Sequence, residues 1–226
     1  MTSISLIIFD WDGTVVDSTM TIAQAIQRSC EDLGLPQPSL EASKYVIGLG
    51  LQSALSHVAP ELPKERIPEL VDRFRHYYLA RDQFLKPFEG VMGMLDWMHT
   101  LNTPLAVATG KSRKGLERAL DATATRHYFS ATRCADESDP KPSPAMVYEL
   151  CDELDVDPTK ALVIGDTSHD LEMAAAAGAS AVAVTYGAHP REHLEAFNPL
   201  ACLSSVPELD LWLRQRLNPS LAQQAG

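Results

Sequence analysis

The sequence lacks the features that mark membrane-spanning and nucleic-acid-binding proteins. No apolar run approaches the roughly 20 residues that a membrane-spanning helix needs, and the opening residues 1–5 lack the basic flank of a signal peptide. Positive charge is scarce, because Lys and Arg number 19 against 30 Asp and Glu, and the net charge of -11 would repel a polyanion. We therefore expect a soluble cytoplasmic protein that binds neither nucleic acid nor a membrane.

Cysteine is also scarce. The four cysteines, Cys30, Cys134, Cys151 and Cys202, form no C-x-x-C pair, which argues against a zinc site and against a disulfide framework. We expect them to be reduced thiols in the core. Apolar residues, in contrast, make up 45% of the 226 residues, which is enough to bury a sizeable core in one large domain or a domain with an insertion.

Short runs rich in Ile, Val and Leu recur along the chain and are typical of buried parallel strands. They lie at residues 4–9, 105–108, 161–164 and 181–184, with weaker candidates at 131–134 and 201–203. Segments with helical spacing separate most of these runs. This alternation predicts an α/β fold with a doubly wound parallel sheet.

The alternation fails between the first and second strands, where nearly all the patterned sequence is helical. Residues 22–33 and 67–78 each place apolar side chains on one helical face. We expect an inserted α-helical cap domain at residues 18–85, entered and left through adjacent linkers, within a core domain formed by residues 1–17 and 86–226. The polar tail at residues 218–226 is predicted to fray.

Two carboxylates directly follow the first predicted strand, in the segment Asp10-Trp11-Asp12-Gly13-Thr14. Both acids point to the same side if the strand continues, and Gly13 lets the backbone turn without steric penalty. One carboxylate can act as a nucleophile and the other as a proton donor. The alternative is a pair of ordinary turn residues, which a lone D-x-D segment would favour.

Polar residues also follow other predicted strands and should meet these acids at the carboxyl edge of the sheet. Thr109 and Gly110 follow the second strand, Lys141 stands in a proline-rich segment, and Asp166 and Asp170 follow residues 161–164. Asp166 and Asp170 are four residues apart at the start of a helical stretch, so both can face one cation such as Mg²⁺. Helix capping is the alternative for Asp166 or Ser168 alone, but it does not explain the whole set.

This ordered set resembles the haloacid dehalogenase superfamily of phosphohydrolases. The matching motifs are Asp10-x-Asp12-Gly13-Thr14, Thr109, Lys141-Pro142 and Gly165-Asp166-x-x-x-Asp170, and they extend over the whole chain. Asp17-Ser18, the helical insertion and the Lys-Pro-x-Pro segment resemble the subgroup with a helical cap that includes phosphoglycolate phosphatases and β-phosphoglucomutases. The implied fold is a Rossmann-like core with an inserted cap.

The resemblance also implies catalytic roles. Asp10 would attack the phosphorus of a phosphomonoester and form an aspartyl-phosphate. Asp12 would protonate the departing alkoxide and then activate the water that hydrolyses the intermediate. Thr109 and the amide of Gly110 would bind phosphoryl oxygens, and Lys141 would place positive charge where negative charge accumulates.

A Mg²⁺ cofactor is implied as well, held by Asp10, the main-chain carbonyl of Asp12 and Asp166, with Asp170 as a further support. Dehalogenation is disfavoured, because a halide leaving group needs no proton donor such as Asp12. We therefore expect an Mg²⁺-dependent phosphatase of a small phosphorylated metabolite, with phosphoglycolate as the favoured substrate. A sugar-phosphate mutase and a phosphate-binding regulatory module without turnover are the alternatives, and the protein is expected to be a monomer or a homodimer.

Several neighbouring residues have simpler interpretations. Trp11 should fill the core between sheet and helices, and His169 should be an exposed or hydrogen-bonded histidine rather than a catalytic group. Lys111, Arg113 and Lys114 could draw an anionic substrate toward Thr109, although a solvated surface cluster is the favoured interpretation.

Substrate choice should reside in the cap. The segment at residues 44–51 forms either a loop beside the mouth of the site or an ordinary connection between helices, and the two interpretations have equal support. Lys44 and Gly48 are the candidate specificity residues of this segment, and Gly48 and Gly50 permit tight turns.

Overall fold

The structure, a computed structural model, describes residues 4–217. Its strands are β1 (Leu6–Phe9), β2 (Leu105–Thr109), β3 (Ala131–Cys134), β4 (Ala161–Gly165), β5 (Ser180–Val184) and β6 (Cys202–Leu203). They form one parallel sheet in the order β3-β2-β1-β4-β5-β6. The predicted parallel sheet is confirmed, although β1 begins at Leu6 rather than at residue 4. The tail at 218–226, for which fraying was predicted, lies outside the described residues.

Helices cover both faces of the sheet. They are α5 (Val91–His99), α6 (Arg113–Thr123), α7 (Ala145–Glu153), α8 (Ser168–Ala177), α9 (Arg191–Glu195) and α10 (Val206–Leu217). None of the helices in residues 4–217 combines the length and apolar character needed to cross a bilayer.

The period-two geometry of β1 divides its side chains between two cores. Ile7 and Phe9 pack in a cluster with residues of α5 and α10, whereas Leu6 and Ile8 pack in a second cluster with residues of α7 and α8. All four are fully buried, and burial of each such side chain contributes about 1.5–3 kcal/mol. The sheet is therefore a rigid base for the residues at its carboxyl edge.

Trp11 and the cysteines have the structural roles that were expected. Trp11 is fully buried in the same cluster as Phe9, with its ring edge-on to Phe129 at 6.0 Å. All four cysteines are free thiols; Cys202 is half-buried and the others are buried. Burial raises the pKa of Cys134 to about 12, which keeps that thiol in its unreactive protonated form.

The region between β1 and α5 contains α1 (Thr19–Asp32), α2 (Leu40–Tyr45), α3 (Leu51–Val58) and α4 (Ile67–Leu79). We call these four helices and their loops the helical insertion. It has an apolar cluster of its own, in which α1 and α4 contribute residues such as Ile26 and Leu70. The domain boundaries at residues 18 and 85 stay a prediction.

The chain leaves and re-enters the sheet region through adjacent segments. The amide of Asp17 donates to the carbonyl of Lys86, and the amide of Phe88 donates to the carbonyl of Val15, each at 3.0 Å. These two bonds fix the base of the helical insertion over the carboxyl edge of the sheet.

Candidate active site

The carboxyl end of β1 delivers Asp10 into the interior. Its amide donates to the carbonyl of Ile164 at 2.8 Å, and its side chain is buried. The chain then turns at Gly13, which has a φ of +90° and lies so close to Asp166 that a Cβ atom there would overlap its carboxylate. Glycine is required here both by the left-handed backbone and by the close approach.

Asp10, Asp166 and Asp170 form a buried acidic trio, in which one carboxylate oxygen from each lies within 4.8 Å of the others. Thr14 Oγ1 donates to Asp166 Oδ1 at 2.9 Å, and the Ala188 amide donates to Asp166 Oδ2 at 2.7 Å. Asp166 lies in the loop before α8 rather than in the predicted helical stretch.

Asp170 lies in the first turn of α8 and also stabilises the start of that helix. Its Oδ2 accepts hydrogen bonds from the amide and the hydroxyl of Thr167, at 3.1 and 2.6 Å. The helix-capping alternative considered for Asp166 or Ser168 therefore applies to Asp170. Its second oxygen, Oδ1, lies 2.6 Å from Lys141 Nζ.

Lys141 is the cation of this cluster. Its fully buried ammonium group pairs with Asp10 Oδ1 and, at 2.6 Å, with Asp170 Oδ1. These two carboxylates raise the pKa of Lys141 despite its burial, so it stays charged. Burial raises the pKa of Asp10 to about 7, although the charge of Lys141 acts in the opposite direction. The pKa of Asp166 is raised well above its usual range, mainly by burial and to a lesser extent by the negative charge of Asp10.

The trio fits a divalent cation. The three carboxylates are buried and the one lysine beside them pairs with Asp10 and Asp170, so negative charge is in excess when all three acids are ionised. Asp10 Oδ2 is buried and has no hydrogen-bond partner among the described residues, and carboxylate oxygens are the ligands that Mg²⁺ prefers. A buried carboxylate oxygen without a hydrogen-bond partner, next to two further carboxylates, is the arrangement expected at a site that binds a cation.

Asp12 is engaged outside the trio. Ser18 Oγ donates to Asp12 Oδ1 at 2.6 Å, and Lys111 Nζ lies 2.9 Å from Asp12 Oδ2. Lys111 Nζ also donates to the hydroxyl of Tyr78 on α4 at 2.8 Å. This carboxylate is therefore connected to α4 through Lys111 and to the start of α1 through Ser18.

The interpretation of Lys111 as a solvated surface residue was wrong. The helix α6 begins only at Arg113, so Lys111 lies in the loop at the sheet edge, where α4 covers it and leaves its side chain 10% exposed. Arg113 is half-buried and pairs with Glu137 at 2.6 Å. The surface interpretation holds for Lys114, which is exposed.

Thr109 and Gly110 lie at the end of β2, and Thr109 is buried. A Cβ atom at Gly110 would lie 2.5 Å from the carbonyl oxygens of both Gly48 and Leu49. The loop of the helical insertion thus packs directly on the backbone where phosphoryl binding was predicted. Gly48 itself has a φ of +92° and lies beside Thr167.

The loop predicted at residues 44–51 is shorter than expected, because α2 ends at Tyr45 and α3 begins at Leu51. Lys44 lies in the last turn of α2, and it is not among the residues that line the cavity described below, so its expected position beside the mouth is corrected. The residues from Val46 to Gly50, including Gly48, do line that cavity. They support the interpretation of a substrate-facing loop.

His169 and His189 anchor the end of α2. Both rings place Nε2 near the carbonyl oxygen of Tyr45, at 2.9 and 3.0 Å. His189 Nδ1 accepts the amide hydrogen of Ser168, and burial lowers the pKa of His189, so its ring is neutral and carries its proton on Nε2. The expectation of a hydrogen-bonded His169 is confirmed, and it is buried rather than exposed.

A cavity of about 820 Å³ opens above Asp10 and Asp12. Its floor is formed by the ends of β1 and β2, and its walls by α1, α3, α4 and α6. The apolar side chains of the walls include Ile22, Ile26, Leu51, Val71 and Phe74. Its volume lies in the range of pockets that enclose drug-sized ligands.

The sequence did not single out several residues that contact the predicted site residues. Tyr78 was assigned to the apolar face of a helix, and Ser18 was noted only as part of a motif, although its position six residues after Asp12 in a tight turn was a usable signal. His189 gave no signal, because only the fold brings it to Ser168 across 21 residues of sequence.

Comparison with known proteins agrees with this arrangement. The model of the family described as haloacid dehalogenase-like hydrolase matches residues 7–184. A probable phosphatase, IndB, of Dickeya dadantii is 33% identical over 90% of this chain and 91% of that protein. The phosphoglycolate phosphatase of Aliivibrio fischeri is 30% identical over 87% of this chain and 90% of its own length.

A solved structure shows the same architecture. The haloacid dehalogenase-like hydrolase of Streptococcus pneumoniae superposes with a TM-score of 0.80 at 27% identity, over 94% of this chain and all of that one. The family model matches most of the sequence, and the similarity to these relatives extends over most of each chain. This chain therefore belongs to the haloacid dehalogenase-like hydrolase family.

Proposed function

We propose that this protein is an Mg²⁺-dependent phosphatase that hydrolyses phosphomonoesters through an aspartyl-phosphate on Asp10. The observation that carries the proposal is the buried acidic trio with Lys141, in which Asp10 Oδ2 has no hydrogen-bond partner within residues 4–217. The names of the phosphatase relatives support phosphomonoesters as the substrate class.

In the first step, a carboxylate oxygen of Asp10 attacks phosphorus. A bond forms between this oxygen and phosphorus, the ester bond between phosphorus and the alkoxide oxygen breaks, and Asp12 donates a proton to the departing alkoxide. Ser18 and Lys111 hold the two oxygens of Asp12 in fixed positions, and for this step Asp12 must enter the reaction in its protonated form.

In the second step, Asp12, now a carboxylate, accepts a proton from a water molecule, whose oxygen attacks phosphorus. The bond between phosphorus and Asp10 breaks, which releases inorganic phosphate and restores the Asp10 carboxylate. Lys141 offsets negative charge on the phosphoryl group during both steps, and Thr109 with the Gly110 amide binds phosphoryl oxygens.

The metal would be held by Asp10, Asp166 and Asp170, together with the main-chain carbonyl of Asp12. When bound, Mg²⁺ would reduce the repulsion between the Asp10 carboxylate and an anionic phosphoryl group.

The direct test is phosphate release with and without Mg²⁺ from a panel that contains phosphoglycolate, sugar phosphates and nucleoside monophosphates. We expect release that depends on Mg²⁺ and is lost in Asp10→Asn, whereas Asp139→Asn, at an exposed position, retains it. Full activity of Asp10→Asn would contradict the mechanism. An isomerised sugar phosphate without free phosphate would favour a mutase instead.

A further inference from the structure

The wall of the cavity beside Asp12 is apolar, although its floor is charged. On α1, Ile22 lies one turn after Ser18, which holds Asp12, and Ile26 lies one turn further. On α4, Phe74 lies one turn from Tyr78, and their rings stack with centroids 5.5 Å apart. The leaving group of a phosphomonoester bound at Asp10 would extend into this apolar wall.

Resting on the proposed phosphatase function, we propose that this cavity binds the leaving alcohol and selects an alcohol with a bulky apolar group over a two-carbon acid such as glycolate. Ile22 is half-buried and offers apolar surface to the cavity, and Ile26, Val71 and Phe74, which are buried in the apolar cluster of the helical insertion, line the cavity behind it. We call these four residues the apolar wall.

The cavity is large even though the helical insertion is in contact with the core. Three sets of polar contacts already join the insertion to the core: Tyr78 to Lys111, Asp82 to Arg118, and the Tyr45 carbonyl to the two histidines. The volume of about 820 Å³ remains with these contacts formed. A two-carbon acid would leave most of this volume unfilled.

The charges around the cavity also disfavour a small acid. Lys111 already pairs with Asp12 at 2.9 Å, Arg118 with Asp82 at 3.2 Å, and Arg75 with Asp72 at 3.6 Å. A substrate carboxylate next to the phosphoryl group would therefore face Asp10 and Asp12 with Lys111 already engaged by Asp12, and the exposed Lys114 would be the cation of the cavity lining left to offset the repulsion.

The test uses three esters of primary alcohols, so that the leaving groups differ in size and charge more than in reactivity. They are ethyl phosphate, 2-phenylethyl phosphate and phosphoglycolate. With Mg²⁺, we expect kcat/KM for 2-phenylethyl phosphate to exceed that of each other ester by about tenfold or more, the effect of added apolar contact in a complementary pocket.

A matched pair of variants tests the apolar wall itself. Ile22→Asn changes a half-buried position of the wall. It should lower the ratio of kcat/KM for 2-phenylethyl phosphate to that for ethyl phosphate at least fivefold, because part of the apolar contact with the phenyl group is lost. Met20→Asn changes an exposed residue of the same helix outside the cavity and should leave the preference unchanged. Equal loss in both variants would overturn the assignment of the wall.

Binding separates this inference from the proposed function. Calorimetric titration of Asp10→Asn with Mg²⁺ should show tighter binding of 2-phenylethyl phosphate than of ethyl phosphate by about tenfold. Equal affinities, or a preference for phosphoglycolate, would overturn the inference even if all three esters are hydrolysed. Preferential binding without phosphate release from any ester would overturn the phosphatase proposal and leave the pocket assignment standing.

Discussion

Lys111 Nζ lies 2.9 Å from Asp12 Oδ2, so the proposed acid and base of the reaction is held by a cation from the neighbouring strand end. The same ammonium group donates to Tyr78 of α4. Lys111 therefore links the position of Asp12 to α4, in addition to the bond from Ser18 at the start of α1.

Replacement of Lys111 should impair the chemistry. In Lys111→Met, the Asp12 carboxylate loses a charged partner worth about 1.5–3 kcal/mol, and we expect kcat to fall by about tenfold or more. Lys114→Met removes an exposed cation of the same segment and should change kcat little. Steady-state kinetics of the two variants tests this prediction. An equal decrease of kcat in both would argue against a positioning role for Lys111.

Loss of Lys141 should destabilise the fold. Its removal leaves the carboxylates of Asp10 and Asp170 buried without a cation, and breaking such a pair costs about 3–5 kcal/mol. Urea denaturation of Lys141→Met without Mg²⁺ should show this loss in the free energy of unfolding, whereas Lys160→Met, at an exposed position, should not.

A double variant checks the cause of that loss. Adding Asp10→Asn to Lys141→Met removes one of the unpaired charges without touching the Asp170 hydrogen bonds that cap α8, so the double variant should be more stable than the single one. A double variant that is less stable would show that the lysine acts through packing rather than charge.

Mg²⁺ should stabilise the protein. A ligand at one hundred times its dissociation constant adds about 2.7 kcal/mol, which corresponds to a rise in Tm of roughly 5–10 °C for a chain of this size. Differential scanning calorimetry should detect this rise in the wild type. Asp166→Asn should abolish it, and Asp152→Asn, at an exposed site, should preserve it. An unchanged Tm in the wild type at millimolar Mg²⁺ would contradict the metal site.

Two glycine substitutions should change different properties of the protein, one its kinetics and the other its stability. The added methyl of Gly110→Ala would press against the carbonyls of Gly48 and Leu49 and displace the loop of the helical insertion, so kcat/KM should fall. At Gly93, in α5, a Cβ atom would enter open space among the described residues, and Gly93→Ala should stabilise the helix by about 0.5–1 kcal/mol with unchanged kinetics. Unaltered kinetics of Gly110→Ala would show that the loop contact is dispensable.

The strands were predictable because a buried parallel strand must be apolar on both faces. Residues 161–164 illustrate this, since their continuous apolar run corresponds to β4 (Ala161–Gly165), in which every residue is buried. The pattern at residues 131–134 was weaker because β3 (Ala131–Cys134) lies at the edge of the sheet and carries the half-buried polar residues Thr132 and Arg133. Asp10 and Asp166 were predictable for a related reason: the carboxyl ends of parallel strands converge, so polar residues after β1 and β4 meet.

Lys111 was misjudged because its environment depends on a helix distant in sequence. Its neighbours Arg113 and Lys114 suggest a basic surface, and nothing local reveals that Tyr78 lies above it. The same applies to His189, whose partners Ser168 and Tyr45 come from two other parts of the chain. Contacts of this kind follow from packing, which a periodic pattern does not encode.

The anchor of α2 has an evolutionary consequence. The acceptor for His169 and His189 is the main-chain carbonyl of Tyr45, so the two hydrogen bonds do not depend on the side chain at position 45. The side chain at position 45, whose ring stacks on His189 at 5.1 Å, can therefore change without removing these two hydrogen bonds, whereas the attachments through Tyr78 and Asp82 depend on their side chains. The main-chain attachment at Tyr45 and the choice of side chain at that position are separable in this chain.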